Sequence, residues 1–184
     1  MKVYIPTGDW PARYDLNCRF IKKMGYKIGD ENSDILFLPG GSDIGDRPNR
    51  DEAEFTLYQK WSAEGRPVVG VCRGMQVMLH LNGATLIPHI PDVQEDIIHT
   101  TINGHWQGQS SWHQTTAGLF VNSRHHQGFL EVPADWQVFD SAADGIVEAV
   151  CRGNQFAVQW HPEHPEIINA AAVEWWAETL KSIL

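Results

Sequence analysis

The stretch Pro67-Val68-Val69-Gly70-Val71-Cys72-Arg73-Gly74-Met75-Gln76 decides how the chain is read. Val68, Val69 and Val71 suit a buried strand, because branched side chains pack well on a pleated surface. Met75, Val77, Met78, Leu79 and Leu81 then predict a helix that stops at Gly83. Between strand and helix stands Cys72, flanked by Gly70 and Gly74. A cysteine on so sharp a turn has the logic of a nucleophile elbow, in which side chains two positions either side would collide. Its sulfur would sit bare at a strand's end beside a helix N-terminus, where partial positive charge favours thiolate. The alternative is a buried structural cysteine following a strand.

Working outward, the same strand–helix alternation recurs. Val3-Tyr4-Ile5 predicts a first strand, and Ala12 to Met24 an amphipathic helix closed by Gly25. Tyr26-Lys27-Ile28 predicts a short strand, and Asp34 to Leu38 one that is apolar after its first residue, as in a sheet covered on both faces. That strand runs into Pro39-Gly40-Gly41-Ser42-Asp43, a loop needing unusual backbone angles. Asp51 to Ala63 predicts the helix before the elbow strand. Thr85-Leu86-Ile87 reads as a brief strand, and Pro88 to Gly118 as an aperiodic excursion walling the site. Residues 136–139, 145–150 and 155–160 read as three strands with turns at Asp144-Gly145 and Gly153-Asn154. A last helix is expected over Glu166 to Leu184, with Ile168, Trp175, Trp176, Leu180 and Ile183 inward. The fold class is therefore α/β: residues 1–184 as a single three-layer domain, a mostly parallel sheet flanked by helices, flavodoxin-like. In such sheets functional residues collect at the carboxyl ends of strands, where Pro39-Gly40-Gly41 and Cys72 both fall.

Composition narrows the function. The chain has 184 residues, 42% of them hydrophobic and 20% charged, which suits a soluble α/β domain with a proper core. A net charge of −9 disfavours a nucleic-acid partner, which usually meets a basic face. No apolar run approaches spanning length, so no membrane partner is expected, and Met1 to Ile5 reads as strand rather than signal peptide. Cys18, Cys72 and Cys151 are odd in number and far apart, suggesting neither a disulfide framework nor a thiolate metal site, and a reducing cytoplasm as location.

A cysteine nucleophile needs a base and a group orienting that base. Trp160-His161-Pro162-Glu163 offers both, because in an extended segment alternate side chains share a face. A polar surface turn is the plain alternative. With His164 a metal cluster is another, disfavoured because two prolines prevent the helix such histidine pairs prefer. Neutral His161 as base predicts activity lost in acid on its protonation and at high pH as its acid form disappears. Gly41 and Arg73 can each offer a backbone N–H to an oxyanion. The Arg73 side chain reads either as a substrate contact or as a surface salt bridge. Gln76, one helical turn after Cys72, faces the substrate or solvent.

Together, Pro39-Gly40-Gly41, Gly70 to Gln76, Val121-Asn122-Ser123-Arg124-His125-His126-Gln127 and Gln159 to Glu163 resemble the class I glutamine amidotransferases. More narrowly they resemble the γ-glutamyl-γ-aminobutyrate hydrolase (peptidase C26-like) subgroup. The resemblance runs from about Ile35 to Glu163, departing at Ser42 and Arg124 and by shortening around Tyr26 and over Pro88 to Phe120. It implies a catalytic triad of Cys72, His161 and Glu163, a γ-glutamyl thioester, and an oxyanion hole from Gly41 and Arg73 backbone. It also implies substrate contacts from Gln76, Arg124, His126 and Gln127, with one of His125 and His126 a core residue. No cofactor or metal is implied. The expected activity is γ-glutamyl amide hydrolysis, releasing glutamate and an amine. The alternative is a glutaminase subunit feeding ammonia to a separate synthetase. Partners are then a small γ-glutamyl amide or glutamine and, on the alternative, that synthetase.

Overall fold

The computed structural model describes residues 1–8, 11–90, 111–164 and 170–184. The first half alternates strand and helix: β1 (Lys2–Tyr4), α1 (Pro11–Lys23), β2 (Lys27–Ile28), β3 (Ile35–Leu38), α2 (Pro48–Ala63), β4 (Val68–Val71) and α3 (Arg73–Leu81). The second half is strand-rich: β5 (Ser111–Gln114), β6 (Phe120–Ser123), β7 (Gln137–Ser141), β8 (Val147–Arg152) and β9 (Gln155–Val158), then α4 (Ala170–Ile183). Seven strands form one sheet in the order β2-β1-β3-β4-β9-β8-β7. From β2 through β9 the neighbours are parallel, while β9–β8 and β8–β7 are antiparallel.

Sequence alternation in the central strands sets the layers. Ile35, Phe37, Val69, Val71, Phe156 and Val158 face one side, packing on Phe20 and Ile21 of α1 and on Trp176 and Leu180 of α4. Leu36, Leu38, Val68 and Ala157 face the other, against Tyr58 and Trp61 of α2 and Met75, Val77, Met78 and Leu79 of α3. Each such side chain contributes about 1.5–3 kcal/mol when fully buried, so strands coated on both faces must read as continuous apolar runs. That explains why β3 and β4 have no polar residue.

Two expectations change. Thr85-Leu86-Ile87 is not a strand: only Ile87 bridges, to Gly128, so no ladder forms. The 88–118 excursion is not wholly aperiodic, because β5 pairs antiparallel with β6 as a separate ribbon. Its hydrophobic pattern fails because His113, Asn122 and Ser123 are buried beside Val121, while Trp112 and Phe120 stack in exposed positions with centroids 5.5 Å apart. The last helix is described from Ala170, so Glu166 and Ile168 lie outside the described residues. No helix among the described residues is long and apolar enough to cross a membrane.

Candidate functional site

Sheet order creates the site. β4 lies between β3 and β9, all three parallel, with Leu38 opposite Gly70 and Val71 opposite Val158. Their carboxyl ends therefore deliver Pro39-Gly40-Gly41, Cys72 and Trp160-His161-Pro162-Glu163 to one edge. Cys72 anchors across this junction by donating its backbone N–H to Val158 O at 2.8 Å.

The elbow is real in its backbone. Cys72 has φ 52°, the one non-glycine residue among those described with positive φ, a strained conformation that marks functional turns. Its glycine brackets are sterically required. A Cβ on Gly70 would lie 2.8 Å from Gly74 C and 2.7 Å from Met78 Sδ; one on Gly74 would lie 2.9 Å from Leu38 Cβ. Gly40 serves the neighbouring strand end, since a Cβ there would stand 2.6 Å from His161 Cε1.

His161, Glu163 and Cys72 come together. His161 Nδ1 is 2.6 Å from Glu163 Oε1, and both residues are buried. Cys72 lies beside the same ring, both facing Gly40, and contributes to its raised pKa. Fully buried Trp160 roots the segment in the core beneath. Asn122 of β6, whose functional part the motif alone did not disclose, clamps the His161 backbone from both sides. Its Oδ1 accepts the His161 N–H at 3.0 Å and its Nδ2 donates to His161 O at 2.9 Å.

Two expectations about these groups need correction. The sulfur is not bare: Cys72 is 6% exposed, tucked against the core and the Gly40 backbone. Nor does His161 have the ordinary affinity of a neutral base. Burial disfavours its charge, but the Glu163 carboxylate, then Cys72, outweigh that and push its pKa up to about 9. Glu163 is shifted the other way: burial alone would raise it, and the imidazolium holds it below the usual carboxylate range. The raised pKa favours imidazolium over the neutral ring.

The remaining predicted residues divide. The Arg73 guanidinium is neither a substrate contact nor a surface bridge, being 1% exposed and ion-paired to Asp51 and Glu54 of α2. Gln76 is buried rather than solvent-facing, its Nε2 donating to Gln127 O at 3.4 Å and Gln159 Oε1 at 3.5 Å. Gln127 thus joins Gln76 through its carbonyl. Half-buried His126 holds Asp43 Oδ2 at 2.8 Å through Nε2, and its Nδ1 lies 3.1 Å from His89 Nδ1. The bond to Asp43 outweighs partial burial and raises its pKa. Arg124 sits half-buried after β6. His125 is the core member of its pair, Nδ1 2.9 Å from Gln127 O and Nε2 3.5 Å from buried Glu148. For a metal, His161, Glu163 and His164 form the one group among the described residues with three ligand atoms mutually within 4.8 Å, and the first two already bond each other.

Comparison with known proteins gives the family. The Peptidase C26 family matches residues 39–163, from the Pro39-Gly40-Gly41 loop to Glu163. The chain belongs to that family. Protein Rv2859c of Mycobacterium tuberculosis, which carries a provisional glutamine amidotransferase name, is 35% identical over 128 residues, covering 64% of this chain and 42% of its own length. The imidazole glycerol phosphate synthase subunit HisH of Streptococcus gordonii is 31% identical over 79% of this chain and 78% of its own. The chain thus spans under half of the first relative and about four fifths of the second. A glutamine amidotransferase structure from Thermotoga maritima superposes with a TM-score of 0.63 at 14% identity, over 98% of this chain and 82% of its own, and shares the fold. As a C26 member, the chain has the elbow loop, the Gly40-Gly41 loop and the His161 segment all inside the matched span.

Proposed function

We propose that this C26 protein hydrolyses γ-glutamyl amides through a thioester on Cys72. The observation that carries the reading is the elbow cysteine meeting a buried His161–Glu163 pair across β4 and β9. The Cys72 thiolate attacks the γ-carbonyl carbon, and the C=O electron pair moves onto oxygen. Backbone N–H groups of Gly41 and Arg73 receive that oxyanion. As the C–N bond breaks, imidazolium His161 gives its proton to the departing amine, leaving the thioester. Water then attacks the thioester, neutral His161 takes its proton, and Cys72 leaves as thiolate with glutamate free. Glu163 orients the ring and stabilises its charged form throughout. Gln76, Arg124, His126 and Gln127 are assigned to the glutamyl moiety.

The HisH relatives support a second reading equally: glutamine as substrate, with ammonia passed to a separate synthetase. Mass-spectrometric detection of glutamate from a panel of γ-glutamyl amides, glutamine included, separates the two. Several amides turned over by the isolated protein favour the hydrolase; glutamine alone, stimulated by a partner, favours the subunit. A glutamyl adduct on Cys72 is expected, and undiminished turnover by Cys72→Ser would refute both.

A further inference from the structure

The first turn of α2 carries buried charge that the reaction above does not use. Asp51 and Glu54 are buried acids one turn apart, and both pair with the Arg73 guanidinium. The other Glu54 oxygen receives Arg50 Nε at 2.7 Å. Arg50 Nη2 reaches on to Gly40 O at 3.2 Å and Pro39 O at 3.4 Å. Asp51 Oδ2 accepts the Gly45 N–H at 2.8 Å. The loop after β3 is therefore gripped at both ends by consecutive residues of one helix, and that same helical turn grips the residue directly after Cys72. Arg50 also fills the space behind Gly41, where a Cβ would stand 2.6 Å from its Cζ. Buried ion pairs contribute little net stability compared with apolar residues of the same volume, whereas their directional bonds fix geometry.

We infer that Arg50 and Glu54 are positioning residues: bridged by the Glu54 carboxylate, they hold the Gly40-Gly41 backbone at a set distance from the Cys72-Arg73 elbow and so keep the oxyanion cradle assembled. The inference rests on assigning the cradle to Gly41 and Arg73, but not on which amide is the substrate. Neither side chain touches the reacting atoms. Their loss lets the loop drift, and misplacement by about 1 Å lowers an acyl-transfer rate by up to ~100-fold.

The test uses 4-nitrophenyl acetate, whose acetyl group transfers to Cys72 as a thioester while 4-nitrophenolate leaves, with Cys72→Ser as background. Iodoacetamide alkylation of Cys72 runs alongside, because that displacement forms no oxyanion. Arg50→Ala should slow acylation about 10- to 100-fold with alkylation unchanged within about twofold. Arg50→Lys, which can still meet Glu54, should recover at least half of the loss on a logarithmic scale. If Arg50→Ala does not fold, the isosteric Glu54→Gln decides by the same two rates, slowing acylation about fivefold or more and sparing alkylation. Acylation by folded Arg50→Ala, or by Glu54→Gln in its place, within twofold of the unaltered protein overturns the inference, as does a parallel fall in both rates. Should the unaltered protein accept the ester but no γ-glutamyl amide, the substrate reading falls and the positioning result stands. Should it not accept the ester either, there is no cradle to position, and the inference falls.

Discussion

Replacing Glu163 by glutamine changes one charge in the site while keeping its shape. In the folded protein His161 has a pKa of about 9 against an ordinary 6.5, and it is buried, which by itself acts in the opposite direction. The gap of about 2.5 pH units corresponds to roughly 3 kcal/mol of preference for imidazolium, and the attractions behind it must exceed that by the cost of burial. Glu163 at 2.6 Å is the largest of those attractions and Cys72 the next. With an uncharged amide in its place the burial penalty remains, so the His161 pKa should fall by at least about 1.5 units, and turnover by more than the affinity for substrate. If imidazolium is the acid that protonates the leaving amine, the alkaline limb of kcat lies near 9 in the unaltered protein and moves toward neutrality in Glu163→Gln. Two assays check this: the pH dependence of glutamate release, and NMR titration of the His161 ring in apo protein. A ring titrating within half a unit of its original midpoint after Glu163→Gln would refute the electrostatic account, whatever happened to the rate.

Other expectations follow from the same geometry. Asn122→Leu leaves the buried N–H and C=O of His161 without their side-chain partners and should destabilise the fold by about 2–4 kcal/mol in urea unfolding; Asn122→Asp, which keeps an acceptor for the N–H, should lose less. Gly74→Ala would push a Cβ into Leu38 and should unfold the protein or destabilise it by several times the roughly 1 kcal/mol expected for Gly83→Ala, whose φ of 90° is strained but whose surroundings are open. Glu148 is fully buried; desolvation would raise its pKa, but hydrogen bonds to His113 and His125 bring it down to about 2. Its depressed value gives stability that is present above the unfolded carboxylate range and lost as pH falls toward 2, so acid unfolding of Glu148→Gln should show a weaker dependence on pH in that window. His161 acts with opposite sign: its raised pKa gives stability present below 6.5 and lost as pH rises through about 9, so chemical denaturation should become easier across that range.

The elements that the sequence displayed are those whose side-chain pattern answers to one cause. β3, β4 and α3 are buried on all sides or on a clear stripe, and their apolar runs show it. The elbow was legible because Gly70 and Gly74 are demanded by a backbone clash, a constraint written into two letters flanking Cys72. The β5–β6 ribbon was not legible, because polar His113, Asn122 and Ser123 are buried in it beside Val121 and aromatic Trp112 and Phe120 are exposed. His161 and Glu163 could be paired from spacing alone, since an extended chain puts alternate side chains on one face. What spacing cannot reveal is burial and the charges buried with it, and at His161 the neighbouring Glu163 and Cys72 outweigh burial and favour imidazolium.

The charges of α2 show the same limit more sharply. Arg50, Asp51 and Glu54 occupy the first turns of a helix, where a reader of sequence expects solvated side chains, and Arg73 follows Cys72, where charge suggests a substrate contact. The fold instead stacks α2 and α3 on one face of the sheet and turns all four side chains toward each other. Removing either carboxylate alone would leave a guanidinium in the interior with a weakened partner set, which is costlier than never burying the charge. A chain that used this turn only for packing would meet the same need with apolar residues. Because the buried network ends on the carbonyls of Pro39 and Gly40 and on the residue following Cys72, its geometry and that of the proposed acyl-transfer site are one arrangement.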